Sequence, residues 1–326
     1  MLYIFTFITI VILIFINGFT DAPNAITTVV STKVLRFKKA SILSALFNFI
    51  GIILMCMLSF KVANGISSIV FLENGRLGLI ALFSSILSCI IFSSVASIFG
   101  IPTSETHGLI SGLTGSAIVI GNFGNVNFRE WVNVIIGLIW SVIGSLIIVK
   151  ILYRHLKNKL YKIDIRKIKN YQKFSMYGLS FMHGAQDGQK FIGLVILYMS
   201  IVKMGYKISN STIDNIWIII FVSIIMFFGV SIGGRKIVEN IGKNTVELDN
   251  VKGVVSDIGT VLCLFLASIW GLPVSTTHVK TMTIIALGEG DTNKRNVFNI
   301  FKAWIWTFPV CFILSYFIAK ILINYV

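Results

Sequence analysis

Apolar residues along this chain gather into long runs, and polar residues gather in the short stretches between them. The runs cover about 2–32, 40–60, 77–99, 100–121 and 131–152, and again about 174–202, 215–233, 253–270, 271–288 and 298–322. A helix needs about 17–25 such residues to cross a hydrocarbon core of about 30 Å, and the runs are of that order. Segments of about ten residues with alternating polarity, the mark of a membrane β-barrel, do not occur. The pattern predicts an all-α polytopic membrane protein. Composition agrees: 56% of the 326 residues are hydrophobic, 13% are charged, and the mean hydropathy is +0.88. A soluble domain carries about 25% charged residues, so the soluble globular class is excluded, and so is disorder. The first run, MLYIFTFITIVILIFINGF, has neither a basic n-region nor a small-residue cleavage site. It is expected to be an uncleaved first span. Cys56, Cys89, Cys263 and Cys311 all lie inside apolar runs, with no CxxC spacing. They read as small buried hydrophobes.

Two short motifs each occur twice. Gly18-Phe-Thr-Asp21-Ala-Pro-Asn24-Ala-Ile26 is echoed by Gly184-Ala-Gln-Asp187-Gly-Gln-Lys190-Phe-Ile192, and Gly100-Ile-Pro102-Thr-Ser104-Glu-Thr-His107 by Gly271-Leu-Pro273-Val-Ser275-Thr-Thr-His278. The offsets are 166 and 171 residues. The chain is therefore expected to be two repeats, 1–150 and 173–326, joined by a basic cytoplasmic loop at 151–172.

The net charge of +15 is distributed between the apolar runs, with its largest cluster from Lys150 to Lys173. That distribution fits the positive-inside rule, and no nucleic-acid partner is expected. With the basic loop inside and about five segments per half, 20 of the 28 Lys and Arg fall inside and six outside, Lys203 and Lys207 among the latter. Lys190 and Lys280 lie within segments. Both termini are then outside, in a multi-pass protein of the cell membrane. An odd number of crossings inverts one half relative to the other, as in many secondary transporters. Residues 100–121 and 271–288 either span or re-enter.

Each of the four motifs predicts a helix break inside the membrane, as at Gly100-Ile-Pro102 and Gly271-Leu-Pro273. Gly suits the left-handed turn that ends one helix, and Pro suits the first turn of the next. Thr103, Ser104, Ser275 and Thr276 then sit where free N–H groups and hydroxyls converge, which suits a tetrahedral oxyanion. Asp21, Glu105 and Asp187 also lie in apolar segments, where a carboxylate costs about 2.5–3.5 kcal/mol. Such groups bind cations, relay protons or receive a ligand's proton. Asp257, five residues from Lys252, reads as interfacial. His107, His183 and His278 are candidate proton relays, and His107 and His278, which end their motifs, could instead hold the broken helix. Ser104, Glu105 and His107 do not form a triad. His183 and Asp187 share a helix face, but no further metal ligand is evident, so neither a metal site nor a cofactor is expected.

Together the four motifs, in this order, resemble the signatures of the inorganic phosphate transporter family over nearly the whole chain. That family carries G-x-N-D-x-x-N-A and G-x-P-x-S-T-T-H signatures in two inverted repeats. The resemblance implies low-affinity symport of phosphate with Na⁺ or H⁺, commonly in a homodimer. Asp21, Asn24, Ser104, Asp187, Ser275, Thr276 and Thr277 would line the phosphate and cation sites. Thr20 and Gln186 stand where the family has Asn, Glu105 where it has Thr, and Lys190 where it has Asn. These departures bear on the coupling ion more than on the substrate.

Asp21 and Asn24 could hold Na⁺ in the first repeat. In the second, Lys190 lies near the face of Asp187. As an internal cation it would neutralise Asp187, touch the anion and displace Na⁺, which favours H⁺ coupling through Asp21, Glu105 or a lysine–carboxylate pair. As a snorkelling side chain it would reach an interface instead. The expected function is import of phosphate by symport with H⁺, with Na⁺ as the alternative coupling ion. A sulfate symporter is the nearest rival, since sulfate lacks the P–OH proton that Asp21 and Asp187 would accept. A membrane-embedded enzyme lacks an activated nucleophile, and a channel would want a continuous polar face.

Overall fold

The computed structural model of the chain describes residues 1–73, 75–202, 216–288 and 292–325. Lys203 and Lys207, expected outside, lie outside the described residues. In hydrocarbon every backbone N–H and C=O must be satisfied within its own segment, and helices do this. The first half holds α1 (Leu2–Ser31), α2 (Phe37–Leu58), α3 (Lys61–Ser67), α4 (Arg76–Ile98), α5 (Glu105–Gly121), α6 (Phe128–Ile139) and α7 (Ser145–Leu160). The second holds α8 (Ile165–Val202), α9 (Ile216–Ile232), α10 (Arg235–Asn244), α11 (Asn250–Trp270), α12 (Thr276–Ile285) and α13 (Lys294–Tyr325). A π-turn at Trp140–Gly144 joins α6 and α7 into one rod. That rod matches α13, and the halves then repeat element for element: α1 with α8, α2 with α9, α3 with α10, α4 with α11, and α5 with α12.

Among the described residues six helices are long and apolar enough to cross a membrane, and the pair α9–α10, bent by 65°, is a candidate seventh. The membrane-spanning, all-α, two-repeat reading therefore stands. Ile135, Ile139, Ile143, Ile147 and Ile151 form a half-exposed stripe along α6 and α7, a face suited to lipid. Inside, one apolar cluster draws on both halves, with Ile10 and Leu13 of α1, Leu82 of α4, Ile110 of α5, Ile192 of α8 and Val222 of α9. Helices α2 and α8 approach closely: a Cβ on Gly184 would run into the carbonyl of Asn48, so glycine lets the backbones touch and brings Asn48 to His183.

The second motif of each half does break the chain. Gly100 and Gly271 adopt φ of 67° and 75°, a left-handed conformation that glycine adopts without strain. Ile101 N–H and Leu272 N–H bond back to Ala96 and Ala267, closing the same turn in both halves. Ser104 and Ser275 then cap α5 and α12, each Oγ accepting the third N–H of its helix, from His107 and His278. At 17 and 10 residues, α5 and α12 rise only about 25 and 15 Å. After the turn each packs back against the helix before it, α5 on α4 and α12 on α11.

Three expectations need correction. The first motif of each half does not break its helix: α1 runs through Pro23, and α8 is continuous over 38 residues. The basic stretch 151–172 is not a loop. It is the end of α7 and the start of α8 around a four-residue turn at 161–164, because Lys and Arg are good helix formers. The short helices α3 and α10 were not expected at all. Each lies against the other half's turn: Lys61 Nζ donates to Ile269 O and Lys236 Nζ to Ile98 O, both at 3.2 Å.

Candidate functional site

The aspartates of the two repeats sit in matching frames. Asn17 and Asn24 stand four residues before and three after Asp21, and donate to its two oxygens at 2.9 and 3.3 Å. His183 and Lys190 hold the same positions around Asp187: His183 Nε2 lies 3.0 Å from one oxygen, and the Lys190 ammonium bonds the other. On a helix both offsets put the partners on the aspartate's own face. The first repeat thus surrounds its carboxylate with neutral amides, the second with basic groups. Lys190 is 3% exposed, so it does not snorkel.

The half-helix starts complete the cluster. Thr277 Oγ1 donates to Asp21 at 2.7 Å and Thr276 Oγ1 to Asp187 at 3.1 Å, so the first turn of α12 touches both carboxylates. Asn24 also donates to Thr277, at 2.9 Å. The start of α5 contributes Thr106, which accepts from Lys190 at 2.8 Å, and Glu105, which accepts from Thr20. Lys190 makes a third bond, to Val274 O at 2.7 Å. Asp21, Asn24, Glu105, Asp187, Lys190, Thr276 and Thr277 are all at most 5% exposed, so the cluster is closed to both faces.

Glu105 stands at the repeat position of Thr276. Where Thr276 brings a hydroxyl donor to Asp187, Glu105 brings a second carboxyl toward the Asp21 side. Its Oε2 is buried without a hydrogen-bond partner. Three acids therefore share the cluster with one lysine and one histidine. Oxygen and nitrogen atoms of Asp21, His183 and Asp187 lie within 4.8 Å of one another, so Asp21 supplies a third ligand-type group beside the His183–Asp187 pair.

Other expected site residues have different partners. Ser104 and Ser275 are helix caps, their oxygens engaged by backbone N–H groups. Thr103 is buried just before the α5 cap. The rings of His107 and His278 lie 4.8 Å apart and all four ring nitrogens are buried without partners, so the rings do not brace the breaks; the histidine N–H groups do. Asp257 is not interfacial. It is fully buried and paired with Lys280 across the α11–α12 break. Thr106 and Asn17 are contacts that the sequence reading did not single out, although the i−4 spacing of Asn17 from Asp21 was a signal available; Thr20 stood out only as a departure from the family pattern, and His183 as a helix-face neighbour of Asp187.

The chain matches the model of the phosphate transporter family twice, over residues 17–173 and 158–315. A probable low-affinity inorganic phosphate transporter of Bacillus subtilis is 31% identical over 320 residues, covering 94% of each chain. One from Rhizobium meliloti is 28% identical, covering 94% of this chain and 93% of its own. A putative phosphate permease of Pyrococcus horikoshii is 22% identical over 94% of both. Among solved structures, one described as the sodium-dependent phosphate transporter superposes over 100% of both chains, with a TM-score of 0.83 and 21% identity.

Proposed function

The chain belongs to the phosphate transporter family, and from that premise we propose that it imports inorganic phosphate by symport with H⁺. It is a transporter by family, not an enzyme. The observation that carries the coupling reading is the difference between the two aspartate frames. Asp187 has a built-in counterion in Lys190, which fills the space of a mobile cation. Asp21 has only amides and hydroxyls, beside a Glu105 oxygen with no partner. A proton on Glu105 gives that oxygen a donor's role, the role Thr276 plays in the second repeat. Phosphate entering beside Lys190 is held by the ammonium, the hydroxyls of Thr106, Thr276 and Thr277, and the carboxylate that accepts its P–OH proton. Sulfate, without that proton, meets unrelieved repulsion.

Na⁺ is the second reading. Asp21 and the buried, unpartnered Oδ1 of Asn24 offer it oxygens, and the solved relative is described as sodium-dependent. The repeats are read as 1–150 and 173–326, joined through 151–172. Both termini are read as outside, on the strength of the basic bias toward one face, and the family resemblance supports a homodimer. The substrate is tested by uptake of labelled phosphate and sulfate into proteoliposomes. Phosphate uptake with little sulfate uptake is expected, and preferential sulfate uptake would overturn the assignment.

A further inference from the structure

Between the central cluster and the face that carries the basic stretch lies a second buried polar group. The Asp257 carboxylate is fully buried on α11. It accepts from Thr28 Oγ1 of α1 at 2.9 and 3.0 Å, from Ser175 Oγ of α8 at 2.9 Å, and from the Lys280 ammonium of α12. Lys280 is itself fully buried and also donates to Ser256 Oγ at 3.0 Å. One ammonium and two hydroxyls from three helices thus grip the oxygens of a carboxylate carried by a fourth. The same donors suit an inorganic oxyanion.

The position lies between the central cluster and the basic stretch. Lys280 follows Thr277 by three residues on α12, a rise of about 5 Å. Thr28 follows Asp21 by seven on α1, about 10 Å. Farther along, Thr32 and Asn250 both bond Gln172, where α1 ends and α11 begins beside the basic stretch. Two more donors stand unused and buried: the hydroxyl of Thr281, next to Lys280, and the side-chain nitrogen of Gln172, three residues before Ser175. The fold does not require this polar set. The repeat equivalents of Asp257, Lys280 and Thr28 are Ile86, Leu109 and Leu194, which pack in the apolar core.

We propose that Lys280, Thr28 and Ser175 form a second oxyanion station on the path from the central site to the basic face, occupied by Asp257 while that path is closed. A phosphate leaving Lys190 replaces the Asp257 carboxylate on Lys280. One anion is exchanged for another, so the ammonium is never left buried without a partner. The station rests on the transport reading above.

The test counts labelled inorganic phosphate bound to purified full-length protein and measures uptake in proteoliposomes. Asp257→Ala removes the internal occupant and keeps the donors. It is expected to bind two phosphates per chain where the unaltered protein binds one, and adding Lys280→Met returns the count to one. A second variant, Asp257→Ile with Lys280→Leu, installs the apolar pair that the first repeat already packs. It is expected to keep the central affinity and to lose uptake by at least about tenfold. A count of one in Asp257→Ala, or unaltered uptake by the Ile/Leu variant, overturns the station. If the unaltered protein takes sulfate and not phosphate, the substrate reading fails, while the same count with labelled sulfate still decides the station.

Discussion

At the scale of the residue, the two aspartates differ in what they lack. Asp187 has its counterion three residues away, and Asp21 has none within its own frame. Asp21→Asn and Asp187→Asn are each expected to cut phosphate uptake by at least about tenfold, equivalent to about 1.4 kcal/mol, with the protein still inserted. Near-normal uptake at normal expression would remove that residue from the site. Lys190→Asn gives the second repeat the first repeat's frame, with a neutral amide three residues after its aspartate. Uptake by this variant is expected to become stimulated by Na⁺ at fixed pH; indifference to Na⁺ would mean that Lys190 does not stand in for a cation. Asp21, Glu105 and Asp187 were legible in the sequence because a carboxylate in an apolar run has few reasons to be there. Lys190 and His183, on the helix face of Asp187, were legible too, but the partners from other helices were not. Thr20 meets Glu105 from 85 residues away, and Lys280 meets Asp257 across a helix break that hides their shared face. Spacing along one helix reveals neither.

Among the elements, the two helix breaks carry the site. Gly100 and Gly271 hold the turns, and Ser104 and Ser275 cap the helices that follow. Ser104→Ala or Ser275→Ala is expected to cost about 0.5–2 kcal/mol of stability, the worth of a cap. Gly100→Ala or Gly271→Ala is expected to cost about 1–2 kcal/mol, from a left-handed backbone with a Cβ. Thermal unfolding of the purified variants checks both, and unchanged midpoints would mean that the turns are not held this way. The breaks were readable because Gly, Pro and Ser have separate positional roles that coincide at one place. Helices α3 and α10 were not, since seven and ten residues fall below the length at which hydropathy speaks. Their work lies between the halves: Lys61 and Lys236 each hold the carbonyl end of the helix before the other half's turn. Each repeat thus braces its partner's helix break.

For the whole molecule, the inverted repeat supplies two similar frames and the sequence makes them unequal. The second carries fixed cations at Lys190 and Lys280, and the first carries the unneutralised acids Asp21 and Glu105. Under the proposed function, this asymmetry of charge puts coupling in the first repeat and anion contact in the second. The central claim is that a proton, not Na⁺, accompanies phosphate. Its most direct measurement is uptake of labelled phosphate into proteoliposomes under an imposed pH gradient, acidic outside and free of Na⁺, against a Na⁺ gradient at fixed pH. The account predicts uptake driven by the pH gradient alone and lost with Glu105→Gln. Uptake that requires Na⁺ and ignores the pH gradient would contradict it.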